Sequence, residues 1–419
     1  MTFLLLLTFI LAPAYVVRFN LLGLPTNLLM VWIILFWLIF FVWLAAKKQL
    51  SQFLTAGKNC DFKILLCTGL FFLSGIAALF IQGINRANLG QFIVLFVQPI
   101  SLFFIAGYLF KQYPKTNYYL LTAIYCLLGI AGIYAVLQYF TLLGLPPAWW
   151  GNSVEPKRAL SFFVHPNFYA LWSAPLLALL LPDVGTKIKN LIVNRKLLIV
   201  NCLKTSAWLL GAVGLLLSLS RSGWLGLAVA IAVYLVVAAD KKIRKIVLTG
   251  AIIALAVVVY YPNLRYRILL PFYGEKSASS RVELWDDGLK AVKESPVFGL
   301  GLTGFAQKYG ALNTDPTLDT HNFPHNIFLN FWTETGLLGL ISFIWLISLY
   351  IYRGLRGASP PFQGGVPPAG RGGGWSDDRT IKLAISLFLI ALVFQGLVDN
   401  PYFKNDLALV FWIVVAMII

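Results

Sequence analysis

Three histidines and a few arginines are the residues of this 419-residue chain best suited to chemistry. His325 follows Pro324 and precedes the apolar run Ile327–Trp332, which predicts a helix with Pro324 at its first position and His325 at its mouth. A helix N-terminus disfavours imidazolium, so the ring is expected to be neutral at pH 7 and able to take a proton, the requirement for a general base. His321 lies four residues earlier. A proline between the two, and no evident third ligand nearby, argue against a metal pair, and no cofactor is expected.

Arg221, in Ser218-Leu-Ser-Arg-Ser-Gly223, sits in a short turn between two apolar runs. Its planar fork of donors grips phosphate without a metal; the plain alternative is a snorkelling anchor. Arg281 follows Ser280, which with Glu283 forms a capping box for a helix over 281–294, with Val282, Trp285, Leu289 and Val292 as its apolar stripe and Pro296 as its stop. That reading puts Arg281 in the first turn, beside open N–H groups that favour an anion; a solvated helix residue is the alternative.

Glu334 falls about two turns into an apolar run. A carboxylate there needs a partner or a function, and pairing within the bundle is the simpler role. Asp399 and Asn400 close another apolar run, and Arg158, His165 and Asn167 flank a third. Gly299–Phe305 has the look of a GxGxxG string but follows no strand, so its glycines read as a tight loop.

These residues are carried by an unusually apolar chain: 59% hydrophobic, 12% charged, mean hydropathy +0.80, against about 25% charged in a soluble domain. The expected fold is an all-α polytopic membrane protein of about 12 spans, each needing about 20 apolar residues. Residues 1–261 hold nine spans and 325–419 three more, separated by a long, partly helical outer loop over 262–324. A Gly/Pro-rich stretch over 354–374 reads as a cytoplasmic linker. The first span covers Met1–Val17; lacking a basic leader region, it reads as a retained helix rather than a signal peptide. The sixth covers Asn167–Leu181.

The net charge of +17 follows the alternation of the spans instead of forming one patch, which argues for topology and against a nucleic-acid partner. With the N-terminus inside, 20 Lys and Arg fall on the cytoplasmic side and 13 outside, seven of the latter in the long loop. Long loops translocate largely regardless of charge, so both termini are expected in the cytoplasm and all three histidines outside. The four cysteines show no metal-type spacing.

Several strings, taken in order, resemble the O-antigen ligase and Wzy-type polymerase superfamily. They are Arg158 with His165-Pro-Asn167; Ser220-Arg-Ser-Gly223; Ser280-Arg-Val-Glu-Leu-Trp285; Pro296-Val-Phe-Gly-Leu-Gly301; and His325-Asn-Ile-Phe-Leu-Asn-Phe-Trp-Thr-Glu-Thr-Gly-Leu-Leu-Gly339. The resemblance covers about 158–339 and implies a GT-C-like glycosyltransferase of the bacterial inner membrane. Its donor would be an undecaprenyl diphosphate-linked glycan, passed at the periplasmic face to a glycan, lipid A core or protein acceptor.

On this resemblance Arg221 and Arg281 bind the diphosphate. His325 is the base, assisted by Asp399, while Arg158, His165, Asn167 and Asn326 contact the donor or its glycan and Glu334 supports the bundle. Ligase, polymerase and protein O-oligosaccharyltransferase stay open. A transporter of the bicarbonate type is the rival, though it predicts polar or broken helices at mid-membrane, whereas the polar groups here gather at the outer rim.

Overall fold

The computed structural model describes residues 1–21, 24–56, 60–152, 156–193, 198–262, 265, 276–310, 322–357 and 378–418. The chain is an all-α polytopic membrane protein, the architecture expected where a bilayer leaves no water to satisfy backbone groups. It divides into two units: residues 1–123, 280–349 and 396–419, and residues 124–279 and 350–395. The first opens with α1 (Thr2–Ile10), α2 (Leu28–Ala46), α3 (Leu50–Ala56), α4 (Phe62–Ile81) and α5 (Arg86–Gln112). Then α6 (Lys115–Thr141) runs into the second, which continues with α7 (Pro166–Leu179), α8 (Leu181–Val193), α9 (Leu198–Leu217), α10 (Arg221–Val237) and α11 (Lys241–Tyr260). There follow α12 (Lys276–Glu294), α13 (Gly304–Tyr309), α14 (Ile327–Gly357), α15 (Asp378–Gly396) and α16 (Asn405–Val415).

Among the described residues seven helices, α2, α4, α5, α6, α9, α14 and α15, are long and apolar enough to cross a membrane; α10 and the stretch Asn405–Ile418 are apolar but shorter. The expected first span is not one continuous helix. The nine residues of α1 give way to a 3-10 turn over Ala12–Val16, because Pro13 cannot donate to a continuing ladder. A hairpin then pairs Arg18–Leu21 with Leu24–Asn27, and the Asn27 side chain caps α2 by accepting the Met30 N–H at 2.9 Å. The sixth expected span corresponds to α7, whose 14 residues end at Leu179 with Leu180 as the C-cap, just before Pro182.

The first unit is cored by aromatic rings from α4, α5, α14 and α16. Phe331 and Phe343 lie 4.2 Å apart, and Phe71 and Phe96 4.9 Å, between ring centroids. The Tyr402 hydroxyl donates to the Leu95 carbonyl at 2.7 Å and accepts from Trp412 Nε1 at 2.9 Å, so its buried polar tip is satisfied. The second unit relies on small residues, which let helices approach where lipid tails offer no hydrophobic drive between them. A Cβ on Gly132 of α6 would fall 2.2 Å from the Leu210 carbonyl oxygen of α9.

Candidate functional site

In the first unit the chain just before α14 is shaped by Asn326, whose Oδ1 accepts the N–H groups of Phe328 and Leu329, both at 3.0 Å. Its Nδ2 donates to the Leu397 carbonyl at 3.0 Å, tying this cap to the segment after α15. The cap therefore falls at Asn326, and α14 starts at Ile327 rather than at Pro324 as the sequence suggested: an Asn that satisfies two open donors overrides a proline's preference for the first position. His325, one residue upstream, takes a left-handed backbone with φ +46°. That conformation is uncommon for a residue with a Cβ and typical of functional positions.

His325 is buried, and its Nδ1 lies 3.3 Å from Asp399 Oδ1. The same oxygen accepts the Asn400 N–H at 2.9 Å. Burial pushes the Asp399 carboxyl up, but the hydrogen bond and charge of His325, the charge of Arg281 and the Asn400 N–H outweigh it and hold the group at about 2. A carboxylate placed against Nδ1 can orient the ring and leave Nε2 facing away from it, an arrangement able to serve a general base. His321 lies outside the described residues.

Arg281 reaches this carboxylate electrostatically from α12, which begins at Lys276, earlier than the capping box implied. Serine and alanine at 277–280 tolerate a helix, so Ser280 is interior and Arg281 stands in the second turn, past the open N–H groups. The buried face also differs from the predicted stripe. Leu284, Ala291 and Val292 are buried, with Leu284 and Ala291 packing on Phe305 and Tyr309, while Val282 and Leu289 are 62% and 49% exposed. Gly288 turns that face inward: a Cβ there would meet Leu329 Cδ2 at 2.5 Å. Trp285 Nε1 donates to the His325 carbonyl at 3.4 Å, a long bond joining α12 to the strained residue.

The glycine-rich string is a structural clamp. Gly299 and Gly301 have φ near +72° and +81°; Gly301 lies against Ala78 of α4 and its C-cap Gln82, and α14 is broken opposite Gly299 at Gly336, φ +67°. Leu300 N–H donates to the Thr333 carbonyl at 2.7 Å, and Leu337 N–H to the Val297 carbonyl at 2.9 Å. Glu334 is buried, and its Oε2 accepts the Thr303 N–H at 2.6 Å. Among the described residues its partner is thus loop backbone.

In the second unit Arg158 is the organiser. Its Nε donates to the Ser218 carbonyl at 2.9 Å, its Nη2 to Asn167 Oδ1 at 2.7 Å, and its guanidinium lies 5.5 Å from the centre of the Trp149 ring. His165 caps α7, its Nδ1 accepting the Asn167 N–H at 3.1 Å, and packs edge-on against Trp149. Arg221 is the first residue of α10, with Ser220 as its N-cap residue. The Ser220 and Ser222 hydroxyls lie 3.2 Å apart.

Trp149 and Gln395 have no place in the sequence reading, and Trp285 and Asn330 enter it only as a helix-stripe residue and within matched strings, not as site residues. The tryptophans differ from the chain's many other aromatics only by their proximity to Arg158 and His325. Asn330 and Gln395 are fully buried polar residues in apolar helices, a signal legible in the sequence.

A family model described as O-antigen ligase matches residues 206–344, a stretch that includes Arg221, Arg281, His325, Asn326 and Glu334. An uncharacterised protein of Haemophilus influenzae is 26% identical over 340 residues, covering 75% of this chain and 76% of that protein.

Proposed function

We propose, on the match of residues 206–344 to the O-antigen ligase family, that the chain is a metal-independent inverting glycosyltransferase of that superfamily. It moves a glycan from undecaprenyl diphosphate to an acceptor hydroxyl at the periplasmic face of the inner membrane, with both termini in the cytoplasm. The observation that carries this reading is the buried His325–Asp399 pair, 3.3 Å apart, with the charge of Arg281 acting on it.

In this mechanism His325 Nε2 takes the proton of the acceptor hydroxyl as its oxygen attacks the anomeric carbon. The bond from that carbon to the diphosphate breaks on the opposite face, and the leaving diphosphate keeps the electron pair. Arg281 and Arg221 are assigned to the developing negative charge, for which each well-placed donor contributes roughly 2.7–4 kcal/mol of transition-state stabilisation. Asp399 holds the ring and its positive charge. Asn326, as the cap of α14, fixes the residue beside it. Arg158, His165 and Asn167 are assigned to the donor or its glycan, and Glu334 supports the fold. The charge bias of the loops supports the orientation.

The test is release of undecaprenyl diphosphate from its glycan by the purified protein in lipid, with acceptors and a chelator present. The wild type should release it and His325→Ala should not. A longer lipid-linked glycan identifies a polymerase, a loaded lipid A core a ligase, and a modified protein an oligosaccharyltransferase. Release by His325→Ala at the wild-type rate rejects the mechanism.

A further inference from the structure

Gln395, near the C-terminal end of α15, is fully buried, and among the described residues neither atom of its amide has a hydrogen-bond partner. A buried amide without partners is costly and persists where something else supplies the bonds. Its surroundings indicate what. Ala391 and Gln395, one turn apart on α15, meet Gly226 and Gly223, one turn apart on α10. A Cβ on Gly226 would fall 2.5 Å from the Ala391 carbonyl oxygen, and one on Gly223 would fall 3.6 Å from Gln395 Nε2. The glycines thus bring the two helices close enough to set the amide against the first turn of α10.

That first turn is equipped for an anion. The 17-residue helix begins at Arg221, and Ser220 makes no side-chain capping bond to it, so the N–H groups of Ser222 and Gly223 keep their donor capacity at the positive end of the dipole. The buried Ser222 hydroxyl shares the turn.

We propose that Gln395 is a further donor to the diphosphate, its Nε2–H completing a cradle made with the first turn of α10 and Arg221. This rests on the assignment of Arg221 to the diphosphate under the proposed function. The ligand chemistry is a phosphoryl oxygen of a diphosphate, carried by a lipid or free.

The experiment uses the full chain in lipid nanodiscs and three probes: farnesyl diphosphate, farnesyl monophosphate and inorganic pyrophosphate. Gln395→Leu, which fills the space without an amide, should weaken farnesyl diphosphate about tenfold while the melting temperature holds or rises. Gln395→Glu should weaken it more, and Gln395→Asn should restore part of the loss. In the transfer assay KM for the lipid donor should rise and KM for the acceptor should not, a split that a packing role alone would not produce. Preference for farnesyl diphosphate over pyrophosphate assigns the cradle to a lipid-linked diphosphate, and equal binding to the phosphoryl groups alone; both support it. Monophosphate bound as tightly as diphosphate overturns it. Wild-type affinity in Gln395→Leu with weakened binding in Arg221→Ala overturns the role of Gln395 and leaves the reading of Arg221 standing. Wild-type affinity in both removes the two together.

Discussion

Asp399 Oδ1 faces His325 Nδ1 at 3.3 Å while accepting the Asn400 N–H at 2.9 Å, so one carboxylate oxygen is pinned from two sides and the ring is turned by a fixed partner. The imidazole's other nitrogen is then the one that can take a proton. His325→Gln keeps a polar side chain of similar reach but no base. It should lower the transfer rate by about 10² to 10⁴-fold, the usual contribution of general base catalysis, with KM for the donor little changed. Single-turnover measurement of sugar transfer separates this from slow product release.

The Asp399 carboxyl is held at about 2, below its ordinary 3.8. A depressed carboxylate contributes stability that is fully present above the ordinary value and is lost as pH falls through the folded one. Thermal unfolding in lipid should therefore show about 2 kcal/mol disappearing between about pH 4 and pH 2. Asp399→Asn should be flat over that window. An Asp399→Asn curve that still falls as the wild type does would assign the acid loss to other groups.

Arg158 joins two chain segments through two different nitrogens, one on the Ser218 carbonyl and one on Asn167 Oδ1. Lysine has a single nitrogen and cannot reproduce the fork. Arg158→Lys should therefore weaken activity nearly as much as Arg158→Ala. In a double-mutant cycle, Arg158→Ala and Asn167→Ala should couple by about 0.5–3 kcal/mol of stability, as expected for residues that share a bond.

The long spans and the chemically equipped residues were legible because both are written in residue type: apolar runs of about 20 residues, and charged or polar groups at their ends. The His325–Asp399 pairing was not, since 74 residues separate the partners and only the fold brings them together. The start of α12 was misplaced because Ser280 and Glu283 satisfy a capping pattern that the preceding Lys276–Ser279 also permit to be bypassed. α14 starts at Ile327 and not at Pro324 because the Asn326 side chain reaches two N–H groups, which spacing alone does not reveal. The bounds of helices such as α1 and α7 were less legible because hydropathy records greasiness and not the hydrogen-bond ladder, which stops at Leu11 before Pro13 and at Leu180 before Pro182.

Glu334 makes a stability prediction that separates support from chemistry. Its carboxylate receives the Thr303 N–H at 2.6 Å, beside the break at Gly336 where a Cβ would lie 2.3 Å from the Val297 carbonyl oxygen. Glu334→Ala leaves a loop donor without its acceptor, which should cost about 1–3 kcal/mol. Gly336→Ala forces both a left-handed backbone and a clash, so its cost should be at least as large. Glu334→Gln keeps an acceptor oxygen and should retain most of the stability and the transfer rate. Unfolding midpoints of the three variants, read beside their single-turnover rates, decide the matter. A stable but inactive Glu334→Gln would mean that the charge itself takes part in the reaction, and a support role would then be insufficient.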